Sequence, residues 1–567
     1  MEPASGFGAW RLFILVDVSL SPHPVFPIQQ FPEELLANVF YCHILDVCVA
    51  ASYDSHSLSF FNDDQPGYPA DGCIPPPYAW LKIRHVCRAW RGVALQYPHL
   101  STHIFLTRPE CVQDMLSRSG TLPLHIYDLS LSYTYDNRER IIAASRLVLK
   151  QLNRIYHARL PFLDDAMIEE AQPAFEGKSC NTSMLKLMFL GSIPSKSPFS
   201  SNTRFPELQE LSCYNFNAAM SSFLLNAPRL RTLNLAGCYE PTHADNLLAF
   251  LAHIPTLEFL TLDVVLTEHD DWPHLEESTQ RTSAHTITLP NLRRLSVSAY
   301  YASTGLSFLS RVNHPPATVL DLAFHNLSEG MHMSCDCLLR LLQPKISAWS
   351  DIDTPLCQNL SLICSGTPPD GALYMQLWQD APMPPSPAAP TRSDPFFRLS
   401  VHHLAPEQQH ILTGIVQALP CSVAAAITSA HITQWDAFWD TLDWAALLAP
   451  LTMLEHLFAC YAVPHVYAYH ALPAPPPCAR LVQLDAVESR VWRLPRARRR
   501  RTGAASGTAL ADVVHALAAR GGDAAVHYTR DSVVHWPRAL HRLQYTGLAS
   551  WLEARLPPLP ASQRRRR

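Results

Sequence analysis

Charge is scarce in this chain. Only 16% of its residues are Asp, Glu, Lys or Arg, and the two signs nearly cancel to a formal net charge of −5. Bulk electrostatics therefore favours neither nucleic acid nor anionic lipid, and neither is expected as a partner. No stretch reaches about 18 apolar residues without a charge, so no helix is predicted to span a bilayer. The N-terminal WRLFILVDVSL is apolar but short. Glu2 stands where a signal peptide carries a positive charge, and Asp17 interrupts the run, so neither a signal peptide nor a span is expected there. Catalytic signatures are missing too. HExxH, GxSxG, the Walker loop and GxGxxG do not occur. The 27 histidines are dispersed, and Cys335-Asp-Cys337 lacks a second pair at zinc spacing. No metal, no cofactor and no enzymatic activity is expected. The 15 cysteines are odd in number and scattered, which reads as reduced thiols in a cytoplasmic or nuclear protein. The glycosylation-type triplets at Asn181, Asn326 and Asn359 are expected by chance in so Ser-rich a chain.

What is present is apolar material. With 567 residues, 48% of them hydrophobic, the chain has enough for a large core and for two or more structural units. Two stretches near the N-terminus read as amphipathic helices. In FPEELLANVFYCHIL (31–45), Pro32 suits a first helical turn, Glu33 and Glu34 suit the helix dipole, and Leu35, Leu36, Val39, Phe40 and Ile44 repeat at helical spacing. In WLKIRHVCRAWRGVAL (80–95), Trp80, Leu81, Ile83, Val86, Cys87, Trp90, Val93 and Ala94 step by threes and fours, and Pro98 stops the helix. The segment between them is rich in Asp, Pro, Ser and Gly and reads as a mobile insert over about 46–78.

FPEELLANVF, an acidic and Pro-rich insert, and then WLKIRHVCRAWRGVALQYPHLSTHI resemble together the F-box of fungal, basidiomycete-type F-box proteins. CVQDMLSRSGTLPLHIY (111–127) is similar to the segment that follows that F-box, so the resemblance covers roughly 28–127. It implies a small helical module that docks on the Skp adaptor, and through it on the cullin, of an SCF ubiquitin ligase, while the rest of the chain selects an unknown target protein. By position the adaptor-binding residues would be Pro32, Leu35, Leu36, Val39, Phe40, Ile83, Val86, Cys87 and Trp90. Some of these must hold the module's own core, and sequence does not sort the two groups.

From about 180 a template L-x-x-L-x-L recurs. It is read at Leu185-Met188-Leu190, Leu208-Leu211-Cys213, Leu230-Leu233-Leu235, Leu257-Leu260-Leu262, Leu292-Leu295-Val297 and, as ATVLDL, at Leu320-Leu322. LEHLFA (454–459) and LVQLDA (481–486) repeat it later. SFLLNAPRL and AFLAHIPTL share one spelling: a helix ends, Pro stops it, and the next strand begins. The expected fold is mixed α+β or α/β, with a small helical F-box followed by an irregular leucine-rich-repeat-like solenoid of one strand plus one helix per repeat. A generic α/β domain is the competing reading, and the asparagine of a regular repeat is mostly absent. The expected division is an extension over 1–27, the module over 28–104, a connecting segment over 105–180, the repeats over 181–490 with a Pro-rich loop at 379–397, and an Arg/Ala-rich, partly disordered region over 491–567. Side chains flanking the strand leucines point away from them, so Tyr214, Asn234, Phe259, Asp263, Arg294 and Asp321 are candidates for holding the target. RARRRR (496–501) reads as a nuclear import signal, an anion-binding patch or a solvated link, and ALADVVHALAARGG (509–522) as a helix capping the array. The alternative function is a repeat scaffold outside any ligase, using its basic tail in the nucleus.

Overall fold

The structure, a computed structural model, describes residues 32–52, 78–127, 135–162, 165–176, 179–189, 202–214, 226–238, 244–264, 286–326, 342–343, 345–346, 349, 358–365, 372–378, 396–401, 410–434, 444–460, 483–489 and 525–531. The N-terminal extension, residues 53–77 of the insert, Cys335 and Cys337, both arginine runs and the stretch 509–522 lie outside the described residues; the insert begins later than expected, because the first helix runs on to Ser52. Among the described residues no helix is long and apolar enough to cross a membrane.

The fold is mixed α/β around one sixteen-stranded, mostly parallel sheet. Its strands are β1 (His103–Phe105), β2 (Leu124–Tyr127), β3 (Ile155–Phe162), β4 (Met184–Phe189), β5 (Glu210–Tyr214), β6 (Thr232–Cys238), β7 (Phe259–Val264), β9 (Arg294–Tyr301), β11 (Val319–Asn326), β12 (Asn359–Ser365), β13 (Ala372–Trp378), β14 (Phe397–Val401), β15 (Ser429–Gln434), β16 (His456–Cys460), β17 (Gln483–Ser489) and β18 (Ala525–Asp531). The short β8 (Ile287–Thr288) and β10 (Val312–Asn313) pair separately. Strands follow chain order except at one seam, where the order runs β11-β14-β13-β12-β15 and β13 is antiparallel to both neighbours.

The template leucines explain the sheet. Leu185, Leu211, Leu233, Leu260, Leu295, Leu320 and Phe397 are successive register partners, each at most 2% exposed. A second buried ladder follows two residues on: Cys213, Leu235, Leu262, Val297, Leu322 and Leu399. The period-two alternation of a strand puts both ladders on one face. Leu185 pairs with Leu211, the fourth template position, so the first match of the template begins three residues before Leu185. Its true first position is Thr182, which is buried and donates its Oγ1 hydroxyl to the Ile155 carbonyl at 3.1 Å. Thr256 and Thr318 do the same to the carbonyls of Leu230 and Leu292, at 2.8 and 2.7 Å. These three hydroxyls tie their strands to the preceding segment, through polar positions that a leucine template passes over.

The sheet also starts earlier and ends later than the template implies. β1, β2 and β3 fall at or before the segment expected only to connect, and β18 falls in the Arg/Ala-rich region. LHIY and IYHARLPF carry no L-x-x-L-x-L, so nothing in their spelling announced them.

Helices lie on both faces of the sheet: Tyr41 and Cys48 meet His103 on the face opposite the ladders, whereas Gly305 meets Val297 and Phe324 on the ladder face. α1 (Glu33–Ser52), α2 (Arg88–Gln96), α3 (Pro109–Arg118), α4 (Tyr135–Leu149) and α5 (Asp165–Phe175) precede or accompany the first strands. α6 (Ala244–Ala252) follows β6, and its Pro255 stop matches the AFLAHIPTL reading. α7 (Ala302–Ser310) packs closely on the sheet at Gly305. A Cβ there would lie 2.7 Å from Cε1 of the buried Phe324 and 3.2 Å from the Ala299 Cβ. Helix propensity favours Ala over Gly by about 1 kcal/mol, but overpacking a closed core costs about 1–3 kcal/mol. Gly305→Ala is therefore expected to lower the denaturant midpoint rather than raise it, and a stabilised variant would refute the close packing of α7.

Candidate functional site

The N-terminal module divides its apolar residues between two faces. On α1, Leu36, Phe40, Ile44 and Cys48 recur every fourth residue and are all buried. Leu35 and Val39, one turn apart on another face, are 51% and 47% exposed, and Pro32 is exposed one turn before Leu35. Pro32 stands one residue before the first helical turn, in the cap position, with its carbonyl accepting from Leu36 N at 3.1 Å.

The second stretch is not one helix. Ala79–His85 is a 3-10 helix, and α2 begins only at Arg88. The break falls at Val86 and Cys87. It turns Val86 out to 60% exposure, and the extended Cys87 becomes the N-cap, its Sγ accepting from Trp90 N at 3.4 Å. Trp80 and Ile83 enter the core, and the half-buried Trp90 ring lies 5.1 Å from Phe40. Of the nine positions picked out from sequence, Pro32, Leu35, Val39 and Val86 are thus on the surface. Leu36, Phe40 and Ile83 are core, and Cys87 and Trp90 are half-buried.

Beneath α1 lies a cluster that sequence reasoning missed. His103, His125 and His157 are register partners on β1, β2 and β3. The rings of His103 and His125 stack at 4.6 Å and 10°, and Nδ1 of His125 lies 3.2 Å from Nδ1 of His157. Helix α1 seals the cluster: Tyr41 Oη is 3.4 Å from His103 Nε2, and Cys48 Sγ is 3.5 Å from His103 Nδ1, which also lies 3.2 Å from Tyr127 Oη. Burial, helped by the neighbouring imidazoles, pushes the His103 pKa down to about 3. Burial also pushes His157 down to about 4 and raises the Cys48 thiol to about 12. The cluster is neutral at physiological pH, so its imidazoles and phenols are packing and hydrogen-bonding groups. Among the described residues no group of three or more His, Cys, Asp or Glu is arranged to hold a metal ion.

Opposite the leucine ladders the sheet carries a polar row. Ser212, Asn234, Thr261, Ser296, Asp321 and Arg398 are consecutive register partners. Asp321 accepts from Arg294 at 3.2 Å and from Arg398 at 3.4 Å. Phe259 is 39% exposed, and Tyr214 and Asn234 are half-buried. Asp263 lies on this same face, as alternation predicts, but it is not open to a partner. It is 6% exposed and accepts from the Ser298 hydroxyl at 2.8 Å, and burial raises its carboxyl pKa above the usual range. Its surroundings make it a strand-to-strand tie.

The sequence matches no protein-family model and no curated protein sequence.

Proposed function

We propose that this chain is the substrate-recognition subunit of a cullin-type SCF ubiquitin ligase. The helical module docks as an F-box on the Skp adaptor, and through it on the cullin. The strand-and-helix array is an irregular leucine-rich-repeat-like solenoid that holds a target protein on its polar face, with Tyr214, Asn234, Phe259, Arg294 and Asp321 as contacts. The chain itself carries no catalytic group in this reading. It raises the effective concentration of a target lysine near a charged conjugating enzyme, in the cytoplasm or nucleus.

One observation carries the reading: α1 has a second apolar stripe that its own core does not use. Leu36, Phe40, Ile44 and Cys48 already bury one face, yet Leu35 and Val39 stand half-exposed with Pro32 beside them. Clustered exposed apolar side chains mark partner sites, and a helix stripe fits helix-in-groove docking. The in-register leucine ladders support the repeat part of the reading, because each unit contributes one strand whose apolar face only its neighbours cover. Titration of the full chain with purified Skp adaptor is expected to give saturable one-to-one binding. A folded chain that does not bind the adaptor sinks the proposal.

A further inference from the structure

The sixteen-stranded sheet has two ends, and β1 is one of them. Among the described residues β1 pairs with β2 alone. Thr102 O accepts from His125 N at 2.9 Å, and Leu106 N donates to Tyr127 O at 2.8 Å. Backbone groups along a strand alternate sides, so Phe105 turns its N–H and C=O away from β2. Such a pair is a template for another strand. Here one atom closes it. Tyr78 Oη donates to Phe105 O at 2.8 Å and accepts from Phe105 N at 3.0 Å. The hydroxyl does for Phe105 what a neighbouring strand would do.

Tyr78 is held to this task. Its φ is 62°, a left-handed conformation that bulky side chains rarely adopt and that persists only where the surroundings impose it. The residue is 8% exposed, and its ring meets the Phe105 ring edge-on at 5.3 Å. The strand it guards, His103-Ile104-Phe105, carries no Lys and no Pro, two of the usual devices that discourage edge pairing.

We propose that Tyr78 is the guard of the β1 edge, and that without its hydroxyl and ring this edge adds the same edge of a second copy of the chain. A second copy fits because the site is self-complementary. In an antiparallel hydrogen-bonded pair, two facing residues exchange both N–H···O bonds. Phe105 placed opposite Phe105 of another copy satisfies both outward groups on each side, under the two-fold symmetry of a closed dimer.

The test uses the full chain with Tyr78→Phe and Tyr78→Ala beside wild type. Amide exchange at Phe105 and sedimentation are followed over a hundredfold range of concentration. Wild type is expected to protect Phe105 equally throughout. In both variants exchange at Phe105 should quicken at least tenfold in dilute solution, and in Tyr78→Ala it should slow again as the mass doubles. Tyr78→Phe keeps the ring and so tests the hydroxyl without a cavity, and Tyr78→Ala opens the edge fully. Unchanged exchange at Phe105 in Tyr78→Phe overturns the closure. Fast exchange at all concentrations in a folded Tyr78→Ala, with no gain in mass, overturns the second copy.

Discussion

Leu35→Asp combined with Val39→Asp is expected to abolish adaptor binding while leaving the fold intact. Both side chains are about half exposed, so charge costs little in the free chain, within about 0.5 kcal/mol for such surface changes. In a docked complex the same positions would be desolvated against a groove. Truncated interface anchors cost about 2–4 kcal/mol each, and an unpaired buried carboxylate adds to that. Two of them should weaken binding by about a thousandfold or more. Leu36→Asp is the contrasting case. Leu36 is 6% exposed and belongs to the module core, so it is expected to lower thermal stability and to lose binding only through loss of the fold. The pair of results separates docking from folding: a double variant that binds like wild type leaves the outer stripe of α1 without the role assigned to it, whatever Leu36→Asp does.

That separation was not legible in the sequence. Leu35 and Leu36 are adjacent and identical, and helical spacing admits both. What sorts them is which side of α1 meets Trp90 and the rest of the core, a tertiary fact. The same holds for Val86 and Cys87, where a continuous three-and-four pattern predicts one helix but the chain breaks into a 3-10 helix and α2. Strands β5, β6, β7, β9 and β11 were legible because each carries two leucine-like residues at period two, and parallel register stacks them. The first three strands were not, because their recurring residue is histidine, and imidazoles 22 and 32 positions apart meet only when β1, β2 and β3 align. Asp263 shows the limit of alternation: it lies on the polar face, yet it is buried.

The histidine cluster should make this chain unusually sensitive to mild acid. His103 and His157 titrate near 6.5 when unfolded and at about 3 and about 4 when folded. The folded state therefore binds fewer protons than the unfolded one between these limits. Their contribution to stability is complete above about pH 6.5 and is lost as pH falls toward 4. The linkage slope reaches ~1.4 kcal/mol per pH unit for each such histidine. Asp263 and Glu210 work the other way, because burial raises their pKa and protonation then favours the fold. Their compensation begins nearer the carboxylate range, so the histidines dominate from about pH 6.5 to 5. Urea titrations of the full chain at intervals from pH 7.5 to 5 should show stability dropping by several kcal/mol. His103→Phe keeps an aromatic ring in the stack but cannot take a proton. Its absolute stability will be lower, since Tyr41 and Tyr127 lose a partner, but its slope against pH should be shallower by about one proton. The slope is the decisive quantity. If His103→Phe and wild type lose stability in parallel, His103 is not held neutral beneath α1, and the packing of that helix on the sheet is not as described.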